Sequence, residues 1–395
     1  MFFHSRVSQQ KKNTIIQLPS NMILTKAGAD TMHQSKNTLK RVLRRDGTLQ
    51  DGMNSAQFNA PVLQKFVLNG FLEEVFSRLP ELLSHRANII STNNLIMYGL
   101  LYKKLSPALS DMLLGSSVVK EFNRKNPKQS IVDYRTISMD MVKALIQQKK
   151  ELFQLMENDI RDQVAKLIND SNLPDEDRSL RTRALDKFLR YIDPRIWYLY
   201  LIIYSTPLQA RMELDFAAMV YDYLDNTQIA THLSNLLMEF VQNAEKAHFE
   251  KIILSNNLTE AGNIDKWLRE KENRKKMIDI AIKSDQLLEI SWNLNPSRNP
   301  VIDQYRIQIL VSNKGLIGEL TRGALADKMR KDTDGISLSD FYQDSGDASK
   351  LGAGLGLLYN SYLEEICKKK GIKYFCNIVP EPAKDRTTVQ IDLNI

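Results

Sequence analysis

The sequence predicts an α+β protein, with a helical N-terminal region followed by a C-terminal domain that combines strands and helices. In the first half, apolar residues recur at three- and four-residue steps, as they do in helices packed in a bundle. In the second half, Arg306–Gly315 alternates apolar and polar residues and predicts a strand, and the short runs Lys251–Leu254 and Leu288–Leu294 predict two more. A glycine-rich run at 351–356 then leads into a predicted helix, Leu357–Lys370.

Length and composition limit the class of protein. A chain of 395 residues is long enough for two or three domains, and its 43% hydrophobic and 26% charged residues are ordinary for a globular protein. The net charge of +7 is mild and does not argue for nucleic acid. The longest apolar stretch, Ile196–Tyr204, is shorter than the roughly 20 residues of a membrane span, and Met1–Pro19 lacks the apolar core of a signal peptide. We therefore expect a cytoplasmic protein with no membrane span.

Three regions are predicted along the chain. Residues 1–55 are polar and basic, with few side chains able to form a core, and predict a basic mobile tail. Residues 56–225 predict a helical domain with a sensor or dimerisation role. Within it, the apolar stripe of Tyr134–Asn169 is typical of a bundle, or of a coiled-coil seam that pairs with a second subunit to form a homodimer. Residues 226–395 predict a separate domain of strands and helices.

The candidate chemistry lies on a predicted amphipathic helix, Gln228–His248. Beside its apolar face runs a polar stripe whose members are three or four residues apart: His232, Asn235, Glu239, Asn243 and Lys246. A carboxylate, an amide and an ammonium on one helix edge are the groups that a magnesium–triphosphate site needs. The alternative is a solvated helix flank with i,i+4 pairing.

The glycine run is the second candidate element. Gly352, Gly354 and Gly356 alternate just before a predicted helix. Such a turn presents backbone N–H groups and the positive end of the helix dipole to a phosphate, and the missing Cβ atoms allow a close approach. The alternative is a close contact between a helix and a sheet, which also favours glycine.

Together these two segments resemble the GHKL superfamily of Bergerat-fold ATPases, which includes gyrase, the heat-shock chaperone, histidine kinases and mismatch-repair ATPases. Leu236–Ala247 is similar to the family's N-box. The resemblance implies that Asn243 binds Mg²⁺ between the phosphates, that Lys246 contacts a phosphate and that Glu239 is the general base of the ATP-hydrolysing branches. It also implies a Bergerat-type α/β sandwich, in which helices cover a mixed sheet.

Two further segments match the family in the expected order. The end of the predicted strand, Ser-Asn-Lys-Gly, resembles the first glycine box, with Asn313 in place of the aspartate that receives the adenine amine and Gly315 as its glycine. An amide has one acceptor oxygen where a carboxylate has two. Leu338–Tyr342 resembles the Phe-box of histidine kinases, and Phe341 is its phenylalanine.

The last match is Lys384–Ile391, which is similar to the closing strand of the family. In that strand a threonine approaches the phosphates. Two adjacent threonines are present, and the resemblance favours Thr388, with Thr387 as its neighbour.

A histidine kinase of the usual kind needs a phosphoacceptor histidine on a helix just before the ATP-binding domain. The five histidines include none at that place and none that is followed by an acidic residue: His4, His33, His85, His232 and His248. Three functions therefore stay open. The favoured one is a signalling protein that binds ATP and Mg²⁺ and transfers phosphate to a partner, such as a response regulator. The others are an ATP-driven conformational switch and a non-catalytic nucleotide-binding scaffold.

Overall fold

The chain is an α+β protein, as predicted, and its described strands pair antiparallel. The computed structural model describes residues 15–34, 39–44, 47–259, 264–294, 305–316 and 355–395. It divides into two compact units, one formed by residues 1–100 with 229–395 and the other by residues 101–228.

The secondary structure is as follows. The helices are α1 (Lys26–Gln34), α2 (Ala60–Leu68), α3 (Arg86–Leu114), α4 (Ser117–Lys125), α5 (Met139–Gln148), α6 (Lys150–Asn169), α7 (Asp175–Leu189), α8 (Pro194–Ile203), α9 (Gln209–Asn226), α10 (Gln228–Ser255), α11 (Ile264–Leu268), α12 (Lys271–Lys283) and α13 (Leu355–Lys369). The strands are β1 (Ile15–Ile16), β2 (Ser20–Leu24), β3 (Lys40–Leu43), β4 (Leu49–Ser55), β5 (Phe58–Asn59), β6 (Leu72–Leu79), β7 (Leu288–Asn293), β8 (Arg306–Lys314), β9 (Lys373–Glu381) and β10 (Arg386–Asn394).

One large sheet organises the first unit. Its strand order is β3-β4-β2-β6-β7-β8-β10-β9, and each of these pairings is antiparallel. The prediction of a mixed sheet is therefore wrong for the strands that the structure describes. β6 pairs with β7 from Glu74–Asn293 to Leu79–Leu288, so strands from the two ends of the chain meet in one sheet.

The predicted division into three regions differs from the structure. Within residues 1–55, the described part supplies β2, β3 and β4, and Met22, Ile23 and Leu24 are almost completely buried. This part is therefore sheet rather than a tail. β6 likewise lies inside the region 56–225 that was predicted to be helical. β2, β3 and β4 are short and rich in polar residues. They join the sheet through β6, which pairs with β7 across more than 200 residues, and no local pattern reveals that pairing.

The second unit, residues 101–228, is helical. α6 packs against α7 and α9, and α8 packs against α5. Its aromatic core includes Tyr200, which stacks on Phe216 with ring centroids 5.6 Å apart, and Trp197, whose ring centroid lies 5.5 Å from that of Phe216. Tyr134–Asn169, whose apolar stripe predicts one long helix, is instead a 3₁₀ turn followed by α5 and α6. Ile137 and Ser138 are extended and separate the turn from α5, and Lys149, at φ −112° and ψ 37°, separates α5 from α6.

α10 is longer than predicted. The strand predicted at Lys251–Leu254 belongs to this helix, which continues to Ser255. Phe249, Ile252 and Ile253 keep the helical spacing and are buried in a cluster with residues of α11 and α12. The short β-branched run resembled a strand, but burial on one helix face decides its structure.

Candidate functional site

One face of the sheet carries the helices that bear the predicted site residues. Trp292, Ile309 and Ile391 are cross-strand neighbours and their side chains point to the same side. On that side the indole N–H of Trp292 donates to Asn93 Oδ1 at 3.2 Å, and Asn93 Nδ2 donates to Ser234 Oγ at 2.9 Å. The bonds connect the sheet to α3 and then to α10. We call this side the helix face.

α13 lies on the helix face as well. Tyr374, which pairs with Leu393 on that side, donates its hydroxyl to Asn360 Oδ1 at 2.6 Å. The ring of His232 on α10 stands edge-on against the ring of Tyr362 on α13, with centroids 5.0 Å apart. His232 is the first member of the polar stripe, so the stripe begins beside α13.

The end of β8 brings two predicted site residues, Asn313 and Gly315, together with Thr387, the neighbour of the predicted Thr388. Asn313 pairs with Thr387, and both side chains are buried on the helix face. Thr387 Oγ1 donates to the carbonyl oxygen of Gly315 at 2.7 Å, and the N–H of Gly315 donates to the carbonyl of Asp385 at 2.8 Å. Gly315 has a φ of +110°, which strains any residue with a Cβ. The glycine is thus required by the turn that follows Asn313.

Lys251 joins α10 to this end of the sheet. Its ammonium forms an ion pair with the carboxylate of Asp385, in the turn between β9 and β10. A Cβ placed on Gly315 would lie 3.1 Å from Lys251 Cδ, so the lysine stem passes directly over the glycine. Sequence reasoning missed this contact because Lys251 was assigned to a strand. The continuing helical spacing beyond His248 is the signal that could have found it.

Two members of the polar stripe, Glu239 and Asn243, are joined by a side-chain hydrogen bond. Glu239 is half-buried, whereas Asn243 and Lys246 are exposed on the same helix edge. Burial raises the pKa of the Glu239 carboxyl, and a hydrogen bond with the Asn243 side chain partly opposes that shift. A carboxylate and an amide oxygen side by side are suitable oxygen ligands for Mg²⁺. Lys246 adds a cation one turn further along.

The directions of α10 and α13 bring the stripe toward the start of α13. β9 follows α13 and begins at Lys373, which pairs with Asn394 at the end of the sheet remote from Gly315. The C-terminus of α13 therefore lies at that remote end. Lys251, near the C-terminus of α10, lies beside Gly315 at the other end of the sheet, so α10 runs antiparallel to α13. Seven residues separate His232 from Glu239 and Tyr362 from Leu355, which is about 10 Å of helix in each case. Glu239 therefore lies toward the first turn of α13, where Gly356 is the second residue.

Thr388 is not part of this arrangement. It follows Thr387 in a strand, so its side chain lies on the opposite face of the sheet. There its hydroxyl lies 2.9 Å from Ser312 Oγ and donates to Glu381 Oε1 at 2.7 Å. The assignment of Thr388 to the site is corrected to Thr387, because one step along a strand reverses the face.

The opposite face holds a polar network. Arg386 donates from Nε and Nη2 to the two oxygens of Glu381, at 3.0 and 2.7 Å. Burial acts to raise the pKa of the Glu381 carboxyl, but the bonds from Arg386 and Thr388 lower it to about 2. Glu381 is therefore ionised and paired, and this network stabilises the three last strands of the sheet rather than forming a reactive site.

A second carboxylate on α10 has a structural role that the sequence did not reveal. Glu245 is 2% exposed and accepts the backbone N–H groups of Leu82 and Leu83 at 2.6 and 2.8 Å. Its other oxygen accepts from Arg274 of α12 at 3.0 Å. Glu245 thus holds α10 against α12 and the segment that leads into α3. Its position on an otherwise apolar helix face was the available signal.

Three site predictions lie outside the described residues: Phe341, Gly352 and Gly354. In the ranges that the structure does describe, there is no group of three or more His, Cys, Asp or Glu side chains arranged to hold a metal ion. Across the same ranges, every helix is too short or too polar to cross a membrane.

Comparison with known proteins gives a family and one relative. Residues 11–395 match the model of a family described as a family of unknown function, DUF8084. A protein of Treponema pallidum (strain Nichols), described as an uncharacterized protein, is 23% identical over 393 residues, which cover 98% of this chain and 99% of the relative. No solved structure matches the chain significantly. Because the family model spans nearly the whole sequence, the chain belongs to the DUF8084 family.

Proposed function

We propose that this protein is an ATP-binding signalling protein whose C-terminal part works like the ATPase domain of a histidine kinase and transfers phosphate to a partner protein. The observation that carries the proposal is the position of α10. α10 carries the Glu239–Asn243 pair and lies on the same sheet face as Asn313 and Thr387. Near its C-terminus, Lys251 passes over Gly315 and forms an ion pair with Asp385. If α10 is the N-box and the end of β8 is the adenine box, both must contact the same nucleotide, and their position on one face of the sheet allows this.

The end of β8 is the proposed base-binding end. Asn313 Nδ2 donates to the carbonyl of Lys314 at 3.1 Å, which leaves Oδ1 as the acceptor for the exocyclic amine of adenine. Thr387 is held against the Gly315 turn and keeps the shape of this end constant. Asn313 thus offers adenine one acceptor oxygen at a buried strand end, where an aspartate would offer two.

The polar stripe is the proposed phosphate end. Asn243 would hold Mg²⁺ by its side-chain oxygen, with the nucleotide's phosphates as further ligands, and Lys246 would contact a phosphate oxygen. When bound, Mg²⁺ neutralises phosphate charge. The glycine run Gly352, Gly354 and Gly356, whose last member is the second residue of α13, would contribute backbone N–H groups at a helix N-terminus. The direction of α13 along the stripe supports this assignment.

Two other functions have a specific observation in their favour. The half-buried Glu239 favours an ATP-driven switch, because a raised carboxyl pKa moves the group toward that of a general base at neutral pH. Asn313 in place of a carboxylate favours a non-catalytic scaffold that binds nucleotide weakly. The helical unit of residues 101–228 is the proposed region for signal input or partner contact in all three cases.

One experiment separates the three functions. The purified protein is incubated with γ-phosphate-labelled ATP and Mg²⁺, with and without a cell extract, and labelled protein, free phosphate and protein-bound ATP are measured. Label on a protein, lost in Asn243→Ala, supports phosphate transfer. Free phosphate without labelled protein supports the switch, and bound but intact ATP supports the scaffold. Gln242→Ala, an exposed amide next to the stripe, is the matched control and should behave as the wild type. A wild-type protein that binds no ATP contradicts all three.

A further inference from the structure

β9 forms one edge of the eight-stranded order, and within the described part of the chain its outer side pairs with no strand. It is nine residues long, and Phe375 near its start is 56% exposed. A long edge strand with an exposed aromatic residue is a template for pairing with another strand. Its charged residues stand only at the two ends, Lys373 and Glu381.

The backbone groups that face outward can be assigned. The N–H of Ile378 donates to the side-chain Oδ1 of Asn377 at 2.9 Å, so it is directed away from the β10 ladder. Pro380, two residues on, has no N–H and is tolerated where that group would face the edge. Because backbone direction alternates along a strand, Tyr374, Cys376 and Ile378 direct their N–H and C=O groups to the outer side of β9.

The sequence of β9 is complementary to itself in an antiparallel register centred on Asn377. In that register Lys373 stands opposite Glu381 of a second copy, and Phe375 stands opposite Val379. On the other side of the strand, Cys376 meets Ile378. Opposite charges and aromatic–β-branched pairs are favourable cross-strand neighbours. Cys376 and Ile378 also present outward backbone groups, so they can exchange two hydrogen bonds.

The neighbouring registers are worse. The outward N–H and C=O groups of the two copies must still face each other in any other register. The nearest registers that satisfy this condition are centred on Cys376 or on Ile378. Phe375 then stands opposite Asn377 in the first case and opposite Glu381 in the second, so its apolar partner is lost in both. The lysine–glutamate pairing is lost as well. Charge and apolar matching thus select one register.

We propose that β9 is a homodimerisation edge, where two copies of this chain pair β9 antiparallel about Asn377 and join their sheets across a twofold axis. Each copy offers the same surface, as a twofold interface requires. One strand pair buries less than about 1,200 Å², so the dimer should be weak and depend on protein concentration. The proposal is independent of nucleotide binding and of pairing through the helical unit.

Sedimentation velocity from roughly 10 μM to roughly 500 μM tests the association. The wild type should shift from monomer to dimer over this range. Phe375→Lys and Lys373→Glu should remain monomeric, because each places an unmatched charge at the edge. Lys368→Glu makes the same charge change on the exposed side of α13 and should dimerise as the wild type does. A wild type that stays monomeric, or a dimer that both β9 variants leave unchanged, overturns the proposal.

A disulfide test fixes the register. The two copies of Asn377 face each other at the axis in a non-hydrogen-bonded pair, with Cα atoms about 4.5 Å apart, within disulfide reach. Under mild oxidation, Asn377→Cys should form a covalent dimer. Lys373→Cys is the control, because its partner is Glu381 and not itself. Cross-linking of Lys373→Cys as readily as Asn377→Cys, or of neither, rejects the register centred on Asn377.

Discussion

His248 is a fully buried histidine on the apolar side of α10, and its protonation should control the acid stability of the first unit. The ring centroid lies 6.1 Å from that of Phe249, and neither ring nitrogen has a side-chain partner in the described structure. Burial lowers the pKa of His248 to about 4, while the backbone of Gln286 opposes this shift and the charge of Lys251 adds to it. The folded protein therefore holds His248 neutral.

The sign of the effect follows from the two states. An unfolded histidine has a pKa of about 6.5, so the unfolded chain binds the proton first as the pH falls. The contribution of neutral His248 to the free energy of unfolding has its full value above about pH 6.5 and is lost as the pH falls from about 6.5 to about 4. The difference in pKa corresponds to about 3 kcal/mol in total, of which about 2 kcal/mol is lost between about pH 7 and about pH 5. Folded domains have only about 5–15 kcal/mol of stability.

Urea unfolding at about pH 7 and about pH 5 measures this loss. Trp292, which is fully buried in the sheet of the same unit, provides a fluorescence signal for that unit when Trp197 of the second unit is replaced by phenylalanine in every variant. His248→Gln should be less stable at neutral pH but should lose about 2 kcal/mol less than the wild type on acidification. His33→Gln, at an exposed histidine, is the control and should keep the full pH dependence. Equal pH dependence in the wild type and His248→Gln would refute the reasoning.

Three further predictions concern the site and the packing. Glu239→Gln should retain ATP binding but reduce hydrolysis by roughly 10²-fold, measured as phosphate release, if the carboxylate orients water; an unchanged rate excludes that role. Thr387→Val should weaken ATP binding in calorimetry, whereas Thr388→Val should leave it unchanged; the reverse result would restore the original choice of threonine. Gly28→Ala should destabilise the protein by about 1–3 kcal/mol in urea unfolding, because the new Cβ would lie 2.4 Å from the carbonyl oxygen of Phe71. Lys26→Ala, an exposed change on the same helix, should not.

Elements with a strong local pattern were predictable from the sequence. α10, β8 and β10 carry regular apolar spacing. The structure places the two strands close to the predicted bounds and begins α10 at the predicted residue, although the helix extends beyond its predicted end. β2 and β4 were not predictable, because their polar residues hide the alternation and their stability depends on partners far along the chain. Local pattern thus identified the helix and strands of the candidate site but not the sheet that they belong to.

Within the site, residue type was easier to predict than residue face. The two threonines of β10 have the same chemistry, and only the register with β8 places Thr387 beside Asn313. Helical spacing can place Lys251 and Glu245 on α10, but their partners Asp385 and Leu82 lie more than 130 residues away and no local pattern identifies them. Tertiary pairing, rather than motif chemistry, decides these assignments.

The most direct test of the central claim is calorimetry of ATP binding in the presence and absence of Mg²⁺, on the wild type, Asn243→Ala and Gln242→Ala. The proposed site predicts that the wild type and Gln242→Ala bind ATP in a Mg²⁺-dependent manner, and that Asn243→Ala loses most of this affinity while its circular dichroism spectrum is unchanged. Mg²⁺-independent binding, or equal affinity in Asn243→Ala and Gln242→Ala, would contradict the assignment of α10 as the nucleotide-binding helix.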